Sequence, residues 1–202
     1  MSTLAAAPRH TASVRLRHRT AFWVAAFALL VMLAFSAVPT PLYPLYQARD
    51  GFSSFMVTVI FATYAVGVVI SLFTVGHLSD WHGRRRLVLP ALGASMVSAL
   101  VFIFWRDVPG LLVGRFISGL AVGAVTATAT AWIAELHAQG RPGGSPRYAE
   151  VVATAANLGG IGVGPLVSGA LVAWVAHPLT VPFLVFLAAL LVAAGLVLTG
   201  RK

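Results

Sequence analysis

The chain has 202 residues, 59% of them hydrophobic and 9% charged, with a mean hydropathy of +0.90. No soluble domain of this length could cover so apolar a composition with polar surface, and the absence of cysteine excludes disulfides, thiolate metal sites and cysteine nucleophiles together. The formal net charge of +9 would suggest nucleic acid in a soluble protein, but the basic residues lie between apolar runs, where membrane topology requires them.

A bilayer core about 30 Å thick needs roughly 20 apolar residues at about 1.5 Å rise each. Six such runs follow one another: Ala21 to Pro44, Phe55 to Val75, Leu87 to Trp105, Pro109 to Ile133, Val151 to Val175 and Leu179 to Thr199. All six read as helices, because the strands of a membrane barrel would be shorter and would alternate polar with apolar residues. The first run follows Arg15, Arg17 and Arg19, yet it is too long for a cleaved signal peptide, and its end is too rich in Pro and aromatic residues. The expected fold is an all-α membrane protein with a basic amino-terminal segment over 1–20, a six-helix transmembrane domain over 21–199, and the start of a further loop at 200–202.

Orientation follows from the short loops. Eleven basic residues fall on one side: Arg9, Arg15, Arg17 and Arg19, then Arg84, Arg85 and Arg86, then Arg141 and Arg147, then Arg201 and Lys202. The other side holds Arg49 and Arg106, each beside an aspartate, and Arg115 lies inside the fourth run. The positive-inside rule therefore places both termini and the loops near 80 and 140 in the cytoplasm, with the chain in the cell inner membrane. The lipid bilayer is the expected partner and nucleic acid is not.

Small residues recur every four positions in two runs: Gly119, Gly123, Ala127 and Ala131 in the fourth, and Ala156, Gly160, Gly164 and Ser168 in the fifth. Such ridges let membrane helices approach closely, since packing drives association in lipid.

The most specific string lies between the second and third runs, Gly76-His77-Leu78-Ser79-Asp80-Trp81-His82-Gly83-Arg84-Arg85-Arg86. As a basic turn it leaves Asp80 unexplained, because a carboxylate just past a helix carboxyl end meets the negative end of the macrodipole and needs a cation or another helix's amino end. The string resembles the loop signature of the major facilitator superfamily, Gly-x-x-x-Asp-x-x-Gly-Arg-Arg. That resemblance implies a gating charge network at Gly76, Asp80, Gly83, Arg84 and Arg85, which locks one face of a transporter and breaks during alternating access. Trp81 stands where the family often has a basic residue. Glu135, at the end of the fourth run, is the other acidic side chain that could join the network.

Arg115 sits about six residues into the fourth run, where a cation costs about 2.5–3.5 kcal/mol on insertion scales, so its default reading is functional. Its surroundings, Gly114-Arg115-Phe116-Ile117-Ser118-Gly119 through Gly123, resemble the fourth-helix signature of the same family, whose arginine is linked to proton transfer. No acidic residue lies within any of the six runs to pair with it. In the fifth run, Gly160-Ile161-Gly162-Val163-Gly164-Pro165-Leu166-Val167-Ser168-Gly169 contains a proline whose ring crowds the carbonyl four residues back, which predicts a kink at Gly160, Gly164, Pro165 and Gly169. It is similar to the family's antiporter signature, with Ser168 for one glycine and Val151 where an upstream glycine extends the pattern. With Pro39, Pro41 and Pro44 closing the first run, it points to the drug:proton antiporter branch.

An enzyme reading finds little support. A six-helix intramembrane serine protease needs a membrane-embedded histidine as base, and none of the six histidines lies inside an apolar run. No two of His, Asp and Glu sit at metal-ligand spacing within a run either. No enzyme, metal or cofactor is expected beyond a proton gradient as energy source.

The resemblance covers nearly the whole chain but only the amino-terminal six-helix half of the family's fold, a 3+3 inverted repeat whose complete form has two halves around a midplane site. It implies that the first, fourth and fifth helices line a cavity, with Tyr43, Arg115 and Asn157 among its few polar groups. The expected function is transport of a small molecule, by proton-coupled efflux, with a carboxyl-terminal six-helix partner or a second copy supplying the other wall. A truncated, non-transporting membrane protein and uptake of a metabolite or sugar by the same fold are the alternatives.

Overall fold

A computed structural model of the chain describes residues 10–82, 84–141 and 143–199, with side chains at 18–74, 84, 87–141 and 143–199. The elements are α1 (His10–Ala37), a 3-10 turn (Thr40–Leu42), α2 (Tyr43–Asp50), α3 (Ser54–His82), α4 (Arg84–Phe104), α5 (Val108–Gly140), α6 (Pro146–Trp174) and α7 (Val181–Thr199). The described residues contain no strand, and six stretches among them are long and apolar enough to cross a membrane, α1 and α2 counting together as the first. The architecture is the six-helix half expected from the sequence.

Prolines set the ends of the first span. Pro39 and Pro41 lack the N–H groups that the carbonyls of Phe35 and Ala37 would need, so α1 stops at Ala37. Val38 N donates instead to Phe35 O at 3.1 Å. The chain then turns, and Pro44 sits in the first turn of α2, where its missing N–H costs nothing. Gly51 closes α2 with φ +71°, its N–H reaching Gln47 O at 2.9 Å. The first run is thus two helices and a turn rather than one helix to Pro44.

Other boundaries extend beyond the apolar runs because lipid-length composition does not mark where a helix stops. The backbone of α3 passes Val75 and continues to His82, so Asp80 lies in its last turns rather than beyond its end. α5 continues seven residues past Ile133 to Gly140, and α6 starts at Pro146, ahead of Val151. The earlier start corrects one expectation: the fifth span runs from Arg147 and contains Glu150, so a carboxylate does lie on a spanning helix. α6 continues as helix through Pro165.

α1 and α5 form the centre. The remaining contacts follow an inverted repeat of three spans each: α3 packs chiefly on α5, α6 chiefly on α1, α4 on α5 and α7 on α1. Both small-residue ridges lie in these contacts. A Cβ at Gly160 would come within 2.6 Å of the Leu30 carbonyl oxygen, and one at Gly164 would collide with the carbonyl of Ala34. On the other pair, a Cβ at Gly119 would strike the Tyr64 carbonyl and one at Gly123 would come within 2.6 Å of Val68 O. The two equivalent helix pairs therefore meet backbone to backbone, where only glycine fits.

Candidate functional site

Arg115 is 2% exposed on α5 and is held by neutral groups. Its Nε donates to Tyr43 Oη at 2.5 Å and its Nη1 to Ser36 O at 2.6 Å. Ser36 belongs to the last turn of α1, whose final carbonyls lack intrahelical partners and carry the negative end of the helix macrodipole. The prolines that stop α1 thereby create the acceptor for the buried cation. Three rings surround the guanidinium, with Cζ 5.4 Å from the centroid of Tyr43, 5.1 Å from Phe61 and 5.4 Å from Tyr64. Charge-assisted hydrogen bonds at about 1.5–3 kcal/mol each, with ring contacts adding up to about 2 kcal/mol, offset the insertion cost of the charge. Nη2 is also buried and has no hydrogen-bond partner among the described residues. The site is a cation with one donor nitrogen unused and, among the described residues, no carboxylate paired with it.

Tyr43 and Arg115, both singled out in the sequence, therefore meet, whereas Asn157 lies apart from them. It is half-buried on α6 and lines a cleft of about 340 Å³ with Thr130, Glu150 and Thr154. Glu150 and Asn157, seven residues apart, occupy the same face of α6. Glu150 escaped the sequence reading because it falls one residue outside the apolar run; its spacing from Asn157 was the available signal.

At the basic end, Arg84 Nε donates to Glu135 Oε1 at 2.9 Å, joining the start of α4 to α5. The side chains are 24% and 46% exposed, so the pair contributes little stability and acts as a tether. Gly83 and the side chains of Asp80 and Arg85 lie outside the described residues, as does the environment of Gly76. At the opposite end, Arg49 pairs with Asp50 at 2.6 Å and donates through Nη2 to Arg106 O at 2.7 Å, linking the last turn of α2 to the loop before α5. In α6, Gly160 and Gly164 serve close approach, Gly169 lies 3.9 Å from Pro41 by its Cβ position, and Ser168 Oγ donates to Val38 O at 2.9 Å.

Residues 14–202 match the family profile described as Major Facilitator Superfamily. The chain is 28% identical over 149 residues to an uncharacterised MFS-type transporter of Methanocaldococcus jannaschii, covering 74% of this chain and 37% of that protein. It is 31% identical over 83 residues to the arabinose-proton symporter of Bacillus subtilis (41% and 18% covered) and 25% identical over 112 residues to the bacillibactin exporter of the same organism (53% and 28% covered). The chain thus spans little more than a third of the length of the curated relatives it matches, or less.

Proposed function

Because the chain belongs to the major facilitator superfamily, a multi-pass membrane family of transporters, we propose that it forms the amino-terminal six-helix half of a proton-coupled exporter of small molecules. The observation that carries this reading is Arg115, a buried cation with a free Nη2 and only neutral partners. Such a group responds to a negative charge arriving beside it, from a substrate, a carboxylate of a second half, or a deprotonating acid. Glu150, with Asn157 in the α5–α6 cleft, is a carboxylate of that kind on a spanning helix.

Efflux is favoured over uptake by the α6 sequence through Gly160, Gly164, Pro165 and Gly169, with Pro165 as the proposed flexible point, and by the likeness to an exporter. The Arg84–Glu135 tether, with Asp80 and Arg85 beside it in sequence, is the proposed lock of the cytoplasmic face. Both ends of the chain are assigned to the cytoplasm of a plasma-membrane protein. Uptake of a sugar is the second reading, favoured by the likeness to the arabinose-proton symporter.

The test uses everted vesicles from cells expressing the gene with its native flanking sequence, so that any further helices are supplied. An imposed pH gradient should be dissipated on adding an amphipathic cation such as ethidium, and not in the Arg115→Met variant. Acidification of the lumen on adding arabinose or glucose without an imposed gradient, sugar and proton entering together, would instead establish the second reading. No response to either class would leave a non-transporting membrane protein.

A further inference from the structure

Two cavities at the basic end of the bundle meet along one edge. The first, about 310 Å³, lies between the start of α1, the end of α5 and the start of α6, with Arg19 and Arg141 among its lining. Its wall is built: Phe22 stacks on Tyr148 at 5.9 Å, and His137, 7% exposed, is held by its Nε2 3.2 Å from Ser145 O. Arg141 lies over the Tyr148 ring at 5.7 Å. The second cavity, about 520 Å³, is a groove between α1 and α7 past Val24, Phe27 and Leu196, and it shares Arg19 and Trp23 with the first. No acidic side chain lines either cavity among the described residues. Neither Arg19 nor Arg141 forms an ion pair with a described residue.

The order of chemistry along this path runs from basic to aromatic to apolar. Arg19 stands two residues before the apolar run, at headgroup depth, and Phe27 lies eight residues on, about 12 Å deeper at 1.5 Å per residue. Trp23, half exposed between them, is the residue type that membrane–water boundaries favour. A free phosphate compound would fill only the first cavity, whereas a phospholipid has the amphipathic order of both. Basic pockets between spanning helices are a recognised form of anionic headgroup site.

We propose that these joined cavities hold one anionic phospholipid of the leaflet at the basic end. Its phosphate sits in the cavity lined by Arg19 and Arg141, and one acyl chain lies in the α1–α7 groove along Phe27 and Leu196. The experiment is native mass spectrometry of the detergent-solubilised chain titrated with dioleoylphosphatidylglycerol or dioleoylphosphatidylcholine. One phosphatidylglycerol should bind about tenfold more tightly than phosphatidylcholine, and the Arg19→Gln/Arg141→Gln variant should lose that preference. Arg19→Lys/Arg141→Lys should keep it, as should Arg147→Gln, which removes a charge outside the cavity. Leu196→Trp, filling the groove, should weaken phosphatidylglycerol as well. Equal binding of the two lipids, or an equal loss on Arg147→Gln, would overturn the site in favour of general surface charge. Full competition by soluble glycerol 1-phosphate would overturn it in favour of a soluble anion.

Discussion

The Ser168 hydroxyl on α6 donates to the carbonyl oxygen of Val38 at 2.9 Å, across 130 positions of sequence, and both residues are fully buried. The acceptor is free because α1 has already ended. In Ser168→Ala that carbonyl loses its partner, and a buried unsatisfied group costs about 1–3 kcal/mol. The melting temperature in detergent should fall by several degrees, whereas Thr, which keeps the hydroxyl, should recover part of the loss.

Gly164→Val should be far more damaging than Gly162→Val. A side chain at Gly164 meets the Ala34 backbone, which cannot yield as a flexible side chain would, while nothing lies within 4 Å of a Cβ at Gly162. Overpacking typically costs about 1–3 kcal/mol, and here it pushes α6 off α1. The fraction of monodisperse protein in size-exclusion chromatography checks the contrast; equal yields for the two variants would contradict it.

Arg115→Met should change stability by less than about 2 kcal/mol while abolishing coupled flux. Removing the charge relieves an insertion cost of about 2.5–3.5 kcal/mol, but it strands the Tyr43 hydroxyl and the Ser36 carbonyl at about 1–3 kcal/mol each. The opposing effects nearly cancel. Thermal unfolding and vesicle flux on the same preparations separate a structural cation from a working one.

Glu135→Gln removes the partner of Arg84 at a half-exposed site, where an ion pair is worth about 0.2–1 kcal/mol. Stability should scarcely move. Under the proposed lock, the balance between open and closed cytoplasmic faces should shift, read as increased alkylation of a cysteine placed at Thr130. Unchanged alkylation would remove Glu135 from the gate.

The absence of native cysteine makes topology directly measurable. Ser53→Cys, in the exposed turn before α3, should react with an impermeant maleimide in intact cells. Ser145→Cys, exposed at the basic end, should react only after permeabilisation. The reverse pattern would invert the assignment.

The spans and the small-residue ridges were legible because lipid imposes long uninterrupted apolar runs and glycine periodicity survives in one dimension. Arg115 announced itself through its cost in an apolar run. Of its partners, Tyr43 was grouped with it, but Ser36 contributes only a backbone carbonyl, and nothing in the side-chain sequence distinguishes one carbonyl from another. The prolines at 39, 41 and 44 were read as an end rather than as a break followed by α2, since the turn between is itself compact and buried at Leu42 and Tyr43. Asn157 was grouped with Arg115 because both are rare polar groups on spanning helices, yet rarity carries no information about distance.

The proline-terminated end of α1 receives Arg115 from α5 at Ser36 and Ser168 from α6 at Val38, two acceptors separated by a single residue. One short piece of backbone thus serves as a shared anchorage for two helices from the second repeat. Sliding α5 past α6 along the membrane normal would tear at least one of these bonds away from a segment that cannot follow both. Around this segment α1, α5 and α6 are therefore yoked, and a displacement that keeps both bonds must carry all three together.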